Sequence, residues 1–479
     1  MVSPSSRRPL RAPSGPLAPL WLALLAAGAA LPAVAQDLPP LQLRLSPRLG
    51  EATPALAWRK AAAAVREPQA AEAVVLQFAR EVRPASGGVE PWADAPAQPG
   101  VLAALVREAL AADPGVLEAL ANEEAAAERT RATRAQNEPV FGARVTGNLV
   151  SSPQAGTPFR GLTARYNLYS AGSIGAQIER DEYKQAYQKY KTEDVRASVG
   201  YSVAQYYLDA LRAKELLAVE AANLAQHRRI LADLEVVVRY DPGRRSELVQ
   251  AQSRALQVQQ RMAVHERNMG VALARLSRYV RQVPSLVDPL PQAWRNELPQ
   301  VDTPVQDHPL LQAQRAELQA LQAEETQLQR ARLPRLDLEA GSGNYNFAQL
   351  VLNWSFFDRG AGYNIAAVTR QIEATRQRLE QTEQEIRQRV VTAETDMQRS
   401  RALAEAALPQ IEASRQVAEL YEMQFKVGRR PMLDLLNAYS ELASVETSAV
   451  IARNDYRQAV INLLHARSAL LHWLETVPR

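Results

Sequence analysis

One eleven-residue pattern occurs twice and limits what this chain can fold into. Residues 162–172 read Leu-Thr-Ala-Arg-Tyr-Asn-Leu-Tyr-Ser-Ala-Gly, and residues 350–360 read Leu-Val-Leu-Asn-Trp-Ser-Phe-Phe-Asp-Arg-Gly. The copies align without a gap at an offset of 188. Both alternate with period two. Leu162, Ala164, Tyr166 and Leu168 therefore share one face of a predicted strand, and Leu350, Leu352, Trp354 and Phe356 share that face of its copy. The other face carries Thr163, Arg165 and Asn167 in one copy, Asn353 and Ser355 in the other. Each pattern ends at a Gly and runs into a very long helical sequence. Short amphipathic strands followed by long helices, made twice, require a sheet and extended helix packing in one α+β fold.

The duplication extends well beyond these strands. Asp113-Pro114 opens a helical pattern that stops at Pro139, and His308-Pro309 opens one that stops at Pro334. Proline is favoured in the first turn of a helix and ends one further along, so two helices of about 24 residues, roughly 36 Å, are expected. A strand follows each: Phe141, Ala143, Val145 and Leu149 alternate with polar positions, as do Leu336, Leu338 and Ala340. The turns 151–156 and 341–344 then complete two hairpins, 139–170 and 334–358. After Gly172, residues 173–241 contain no proline, and Val195, Val199, Val203, Tyr206, Ala210, Ala213 and Leu217 trace a coiled-coil seam. Ile386, Val390, Ala393 and Met397 start the matching seam, which Pro409 is expected to kink. Tyr240-Asp241-Pro242-Gly243-Arg244-Arg245 and Lys426-Val427-Gly428-Arg429-Arg430-Pro431 end the long helices, and return helices over about 245–282 and 432–473 follow. The predicted organisation is an extension over 36–100, a first repeat over 101–283, a proline-rich linker over 284–305 and a second repeat over 306–479.

The N-terminus reads as an export signal over 1–35: Arg7, Arg8 and Arg11, an apolar run from Leu17 to Leu31, then Ala33-Val34-Ala35. An uncleaved anchor is the alternative. Cleavage takes the formal charge from +4 to +1, because no acidic residue precedes Asp37. A nearly neutral chain gives no electrostatic support for nucleic-acid binding. Half of the 30 prolines fall within residues 1–100, so 36–100 reads as a loosely ordered extension with short helical patches. There is no cysteine, which excludes disulfides, thiolate metal sites and a lipid-bearing cysteine. The five histidines have no metal-ligand spacing and read as surface or packing residues. No cofactor is expected. No nucleophile–base or paired-acid constellation points to an enzyme.

No later segment has the ~18 uninterrupted apolar residues of a spanning helix. A membrane crossing would have to be made by strands of a closed barrel. Four strands are too few to close one. Three chains would supply twelve, with apolar faces toward lipid and polar faces toward a water-filled lumen. Tyr166 and Trp354 are then the candidate interfacial aromatics. A soluble sandwich would need more strands than the sequence offers.

This duplicated order of helix, hairpin, long helix, Gly turn and return helix resembles the TolC family of trimeric outer-membrane channel proteins over residues 101–473. The stretch Gly428-Arg429-Arg430-Pro431-Met432-Leu433-Asp434-Leu435-Leu436-Asn437-Ala438 matches that family's tip pattern. The resemblance implies a homotrimer in the outer membrane of a Gram-negative bacterium. Its twelve-stranded barrel would continue as a periplasmic α-barrel, with a periplasmic adaptor and an inner-membrane pump docking at the tips. It makes Gly243, Arg244, Arg245, Gly428 and Arg429 adaptor contacts. It places Asp434, with Asn437 where a second acid is common, in a periplasmic gate. Arg430 and Phe425 match residues that tie the gate shut, and Glu247 stands near the acid missing from the first tip. Three Asp434 side chains around a narrow axis would repel one another and attract cations. The alternative is that Asp434 simply stabilises a helix N-terminus.

Three functions compete. One is the exit duct of type I secretion of a protein such as an adhesin or toxin, paired with an ABC transporter; both Gly-Arg-Arg tips resemble that branch. Another is the duct of a multidrug or metal efflux pump, proton-driven in many systems. The third is a periplasmic coiled-coil adaptor, which leaves four amphipathic strands without a purpose.

Overall fold

Proline and side-chain caps set the helix starts. The computed structural model describes residues 98–146, 158–282, 285–290 and 304–476. Helix α1 (Pro99–Ala112) and α2 (Pro114–Arg134) precede strands β1 (Val140–Val145) and β2 (Arg160–Tyr169). Helices α3 (Ser173–Tyr240) and α4 (Arg245–Leu276) complete the first repeat. The second repeat supplies α5 (Pro309–Arg330), β3 (Arg335–Gly343), β4 (Phe347–Asn353), α6 (Arg359–Lys426) and α7 (Met432–Ala466), and α8 (Leu470–Thr476) follows. The export signal, the 36–100 extension before Gln98, Leu149 and the 151–156 turn lie outside the described residues. No described helix is long and apolar enough to cross a membrane.

Both repeats open with the same device. Asp113 Oδ1 accepts from the backbone N–H of Gly115 at 2.9 Å and of Val116 at 3.2 Å, and His308 Nδ1 accepts from Leu310 N–H at 3.2 Å. Burial, reinforced by the charges of His465 and Arg389, pushes His308 down to about 4. A histidine held neutral in the fold supports it fully above its unfolded value of ~6.5; that support is lost as pH falls from ~6.5 to about 4. Allowing for the ring's partial exposure, the loss is roughly 2 kcal/mol. His308→Asn keeps a capping oxygen but cannot titrate. Its denaturation temperature is expected to fall less than the wild type's between pH 7 and pH 5. Equal slopes for the two proteins would remove His308 from the acid response.

The two hairpins form one sheet rather than two. All neighbours are antiparallel in the order β1-β2-β3-β4, so β2 and β3 join the repeats and β1 and β4 are the edges among the described residues. Tyr166 lies opposite Leu338, which lies opposite Leu350; Ala164, Ala340 and Ala348 form the next row. The irregularity between Asn167 and Tyr169 puts Tyr169, not Leu168, opposite Leu336.

The second copy departs from the predicted pattern at its end. β4 stops at Asn353, so Trp354 and Phe356 leave the strand and meet edge to face at 6.0 Å between ring centres. The cause is a cap. Asp358 accepts from Ala361 N–H at 3.2 Å, α6 starts at Arg359, and Gly360 falls inside its first turn. Only the first copy uses its glycine as a turn, with Ala171 at φ 53° and Gly172 at φ 78°.

Two 68-residue helices, each roughly 100 Å long, run through two layers of shorter partners. Next to the sheet, α2 packs on α3, α3 on α5 and α5 on α6; farther away, α4 packs on α3, α3 on α7 and α7 on α6. The predicted seams are buried at Val203, Ala210, Ala213 and Leu217 and at Ile386, Val390 and Met397. α6 continues through Pro409. The largest apolar cluster draws on α1, α3, α4, α7 and α8, including Leu102, Tyr207, Leu276 and Ile461. α1 can approach because residue 200 is Gly: a Cβ there would lie 2.8 Å from Leu471 Cδ2 and 3.3 Å from Val106 Cγ1.

Three sequence boundaries change. α4 ends at Leu276, short of 282. The second return helix breaks after Ala466, where Ser468 adopts φ 53° and lets α8 turn back onto the cluster. The linker is also part of the core where it is described, because Leu286 and Leu290 are buried. Tyr207 Oη donates to Val287 O at 2.8 Å and accepts from Val287 N–H at 2.9 Å, and Lys214 Nζ donates to Leu286 O at 2.9 Å. Beside it, Arg457 reaches Glu215 at 2.9 Å and donates through Nε to Asp288 at 3.0 Å; Arg453 and Asn454 complete the shell around Glu215. Burial alone would raise the Glu215 carboxyl, but Arg457 and Arg453 outweigh it and hold the group below its ordinary range.

Candidate functional site

Alternation separates the sheet into two chemically different faces. Phe141, Leu162, Tyr166, Leu338, Leu350 and Leu352 lie on one face, and all the large side chains among them outside β3 are exposed. The opposite face is polar and knitted together. Arg165 Nε donates to Glu339 at 2.8 Å, Arg144 lies 3.8 Å from the same carboxylate, and Gln349 donates to it at 3.3 Å. One row away, Asp337 accepts from Asn167 at 2.8 Å, from Arg335 at 3.0 Å and from Asn353 at 3.5 Å. These partners come from all four strands, so the polar face is one network. An apolar outside and a paired polar inside are what a barrel wall between lipid and water requires.

The other candidate residues gather at the far ends of the long helices. An apolar cluster of Ile230, Leu234, Ala251, Met432, Leu435 and Leu436 joins the two tips, with Phe425, Tyr421, Leu248 and Tyr439 packed against it. Phe425 is thus a packing residue of the tip. Arg430 crosses from the end of α6 to the start of α7. Its Nη1 lies 3.2 Å from Asp434, its Nε donates to Gln424 at 2.8 Å, and its guanidinium lies 3.7 Å from the centre of the Tyr421 ring. Such a stacked, doubly bonded guanidinium fixes both helix ends. Asn437 is exposed.

The first tip repeats the pairing with shorter reach: Arg244 donates to Glu247 at 3.1 and 3.2 Å. The turns themselves differ. Gly428 has φ 71°, with Gly428 N–H and Arg429 N–H donating back to Phe425 O and Gln424 O at 2.9 Å. Gly243 sits in a 3₁₀ turn, where Asp241 accepts its N–H at 3.1 Å. A left-handed turn residue favours glycine, whereas the 3₁₀ turn does not. Arg245 and Arg429 are both exposed, one at each tip. Nearby, Tyr439 Oη donates to Glu422 at 2.5 Å. Burial first, and then Glu422, push the Tyr439 hydroxyl up, while Lys426 and Tyr439 hold the Glu422 carboxyl down.

Tyr166 and Trp354 stand apart from this group, at the end of the sheet from which α3 and α6 leave. Sequence reasoning overlooked Tyr421 and Gln424 at the tip and the Arg457 network. For the latter there was a signal. Val450, Asn454, Arg457, Ile461 and Leu464 recur at helical spacing and are all buried, so two polar residues interrupt a core stripe.

Such a sheet, carried on two layers of long helices, is the architecture of outer-membrane channel subunits. The Neisseria gonorrhoeae MtrE outer-membrane channel, solved in its open state, matches with a TM-score of 0.67 and 19% identity, over 78% of this chain and 90% of that one. The Vibrio cholerae outer-membrane protein VceC matches at 0.66 and 19%, over 77% and 96%. The outer-membrane channel OprN matches at 0.65 and 17%, over 78% and 90%. No curated protein sequence matches the chain. Residues 303–467, which span most of the second repeat, match the outer membrane efflux protein family. The second repeat thus resembles that family in sequence, and both repeats share the fold of the solved outer-membrane channels. The family consists of transport proteins rather than enzymes.

Proposed function

We propose that three copies of this chain form an outer-membrane exit duct for a tripartite export system. One observation carries the reading. A single protomer makes a sheet with an apolar face, a paired polar face and two open edges, β1 and β4. An exposed apolar face is stable against lipid, and open edges are satisfied by joining β4 of one copy to β1 of the next. The helix layer has edges of the same kind. Its outer helices α4 and α6 expose Val249, Leu256 and Val271 and Val391, Leu403 and Leu408, respectively. The partners are a periplasmic adaptor at the tips and an inner-membrane pump that supplies the energy. Outer-membrane lipid surrounds the barrel, with Tyr166 and Trp354 at its periplasmic boundary.

The finer proposal is type I secretion of a protein, with an ABC transporter as the pump. The two Gly-Arg-Arg tips favour it. Efflux of drugs or metals is the second reading, favoured by the efflux description of the matched family. An Arg429→Cys variant carries the chain's one thiol, so crosslinking in cells followed by mass spectrometry separates the two. Capture of an adaptor that serves an ABC transporter supports secretion. Capture of an adaptor from a proton-driven pump replaces secretion with efflux.

A further inference from the structure

The polar face of the sheet changes character at the end away from the helices. There Phe159, Tyr345 and Phe347 form a closed aromatic cluster. The Phe159 ring lies 5.2 Å from Tyr345 at 74° and 5.2 Å from Phe347 at 81°, and Tyr345 and Phe347 are 6.1 Å apart. Edge-to-face contacts of this kind hold rings in place beyond simple burial. All three belong to the side that carries Arg165 and Glu339. Phe347 lies opposite Gly341, and Phe159, just ahead of β2, precedes Gly161 by two positions.

The cluster is built, not incidental. A Cβ on Gly161 would lie 2.9 Å from Phe159 Cζ, and one on Gly341 would lie 3.0 Å from that atom and collide with the Phe347 ring. The two glycines therefore provide bare backbone on which the rings rest. The Phe159 backbone is clamped on both sides. Asn344 Nδ2 donates to Pro158 O at 2.7 Å, and Asn344 Oδ1 accepts from Arg160 N–H at 2.9 Å. Phe159 N–H donates to Thr146 Oγ1 at 2.8 Å, and Thr146 N–H donates back to Phe159 O at 2.8 Å. Phe159 is 3% exposed, whereas Tyr345 is 40% exposed. One ring anchors the cluster and another presents it.

We propose that this cluster, repeated by three copies, forms an aromatic collar just inside the outer mouth of the duct. The inference rests on the reading of the polar face as the lumen. Where the lumen wall elsewhere offers charges and amides, the collar offers ring faces. Ring faces attract organic cations and flat apolar groups, and an apolar constriction resists the passage of hydrated small ions. Tyr345 is the contact residue and Phe159 positions it.

Planar-bilayer recording of the purified full-length trimer tests this with tetraphenylphosphonium as the blocking cation. Tyr345→Ala is expected to raise the blocking concentration about tenfold, the size of a lost cation–π contact of ~1.4 kcal/mol. Tyr345→Arg should move the reversal potential in a salt gradient toward anions, and Tyr345→Glu should move it toward cations. Because Tyr345 is the exposed member, these variants leave Phe159 and the strands intact; trimer migration on a gel checks that. Wild-type channels that conduct, with variants identical to them in block and reversal potential, would overturn the collar alone. A trimer that conducts neither as the wild type nor with Arg430→Ser would overturn the channel reading beneath it.

Discussion

Arg457→Leu is expected to destabilise the helical region by about 3–5 kcal/mol, the cost of stranding buried charges. The Arg457 side chain is 4% exposed, and its guanidinium serves Glu215 on α3 and Asp288 on the inter-repeat segment together. Without it, Glu215 keeps Arg453 and Asn454, and Asp288 keeps the backbone N–H of Leu290. Burial would then push the Glu215 carboxyl up, and its protonation would limit part of the loss. Hydrogen exchange in α7 and the denaturation temperature measure the effect. Adding Asp288→Asn and Glu215→Gln to Arg457→Leu removes the stranded charges and should restore much of the stability. A single variant as stable as the wild type would mean that the network contributes nothing to the fold.

Arg430→Ser should have the largest effect on conduction, raising the resting conductance of the trimer in lipid bilayers several-fold. The proposed gate function of the tip rests on how Arg430 binds α6 to α7 through Gln424, Asp434 and Tyr421. Removing it deletes two charge-assisted contacts and a stacked ring in one step. Arg244→Ser should act in the same direction but more weakly, because Arg244, in the turn before α4, pairs with Glu247 three residues along and does not bridge two long helices. Traces of Arg430→Ser that match the wild type would end the assignment of this residue to closure. Asp434→Ala separates the two roles of its carboxylate. Altered block by cations indicates a charge facing the pore, and an unaltered block with a frayed α7 indicates a helix-terminal charge.

Much of the architecture was legible because periodicity is local. The alternation from Leu162 to Tyr166 and from Leu336 to Ala340 assigns each side chain to its face before any contact is known. Proline and Gly-Arg-Arg spacings mark helix ends for the same reason. What stayed hidden depended on distant partners or on competing local bonds. Nothing near Phe159 announces that its ring will meet residues 345 and 347, nearly two hundred positions away. Trp354 continues an alternating pattern, yet the strand stops before it because Asp358 captures the chain as a cap. The prolines of the 284–305 segment suggested a linker, but Tyr207 binds both backbone groups of Val287 and draws that stretch inward. At the tip, the pairing of Arg430 with Asp434 follows from i,i+4 spacing, whereas its seat on Tyr421 needs the turn to close first.

The paired face of the sheet has a consequence for traffic. Both carboxylates there, Asp337 and Glu339, are engaged by guanidinium groups rooted in the same wall. Three guanidinium groups, Arg144, Arg165 and Arg335, answer those two carboxylates, so each copy leaves this face one positive charge in excess. If the face lines the proposed lumen, the wall between the helix tips and the proposed aromatic collar would favour anionic over cationic cargo.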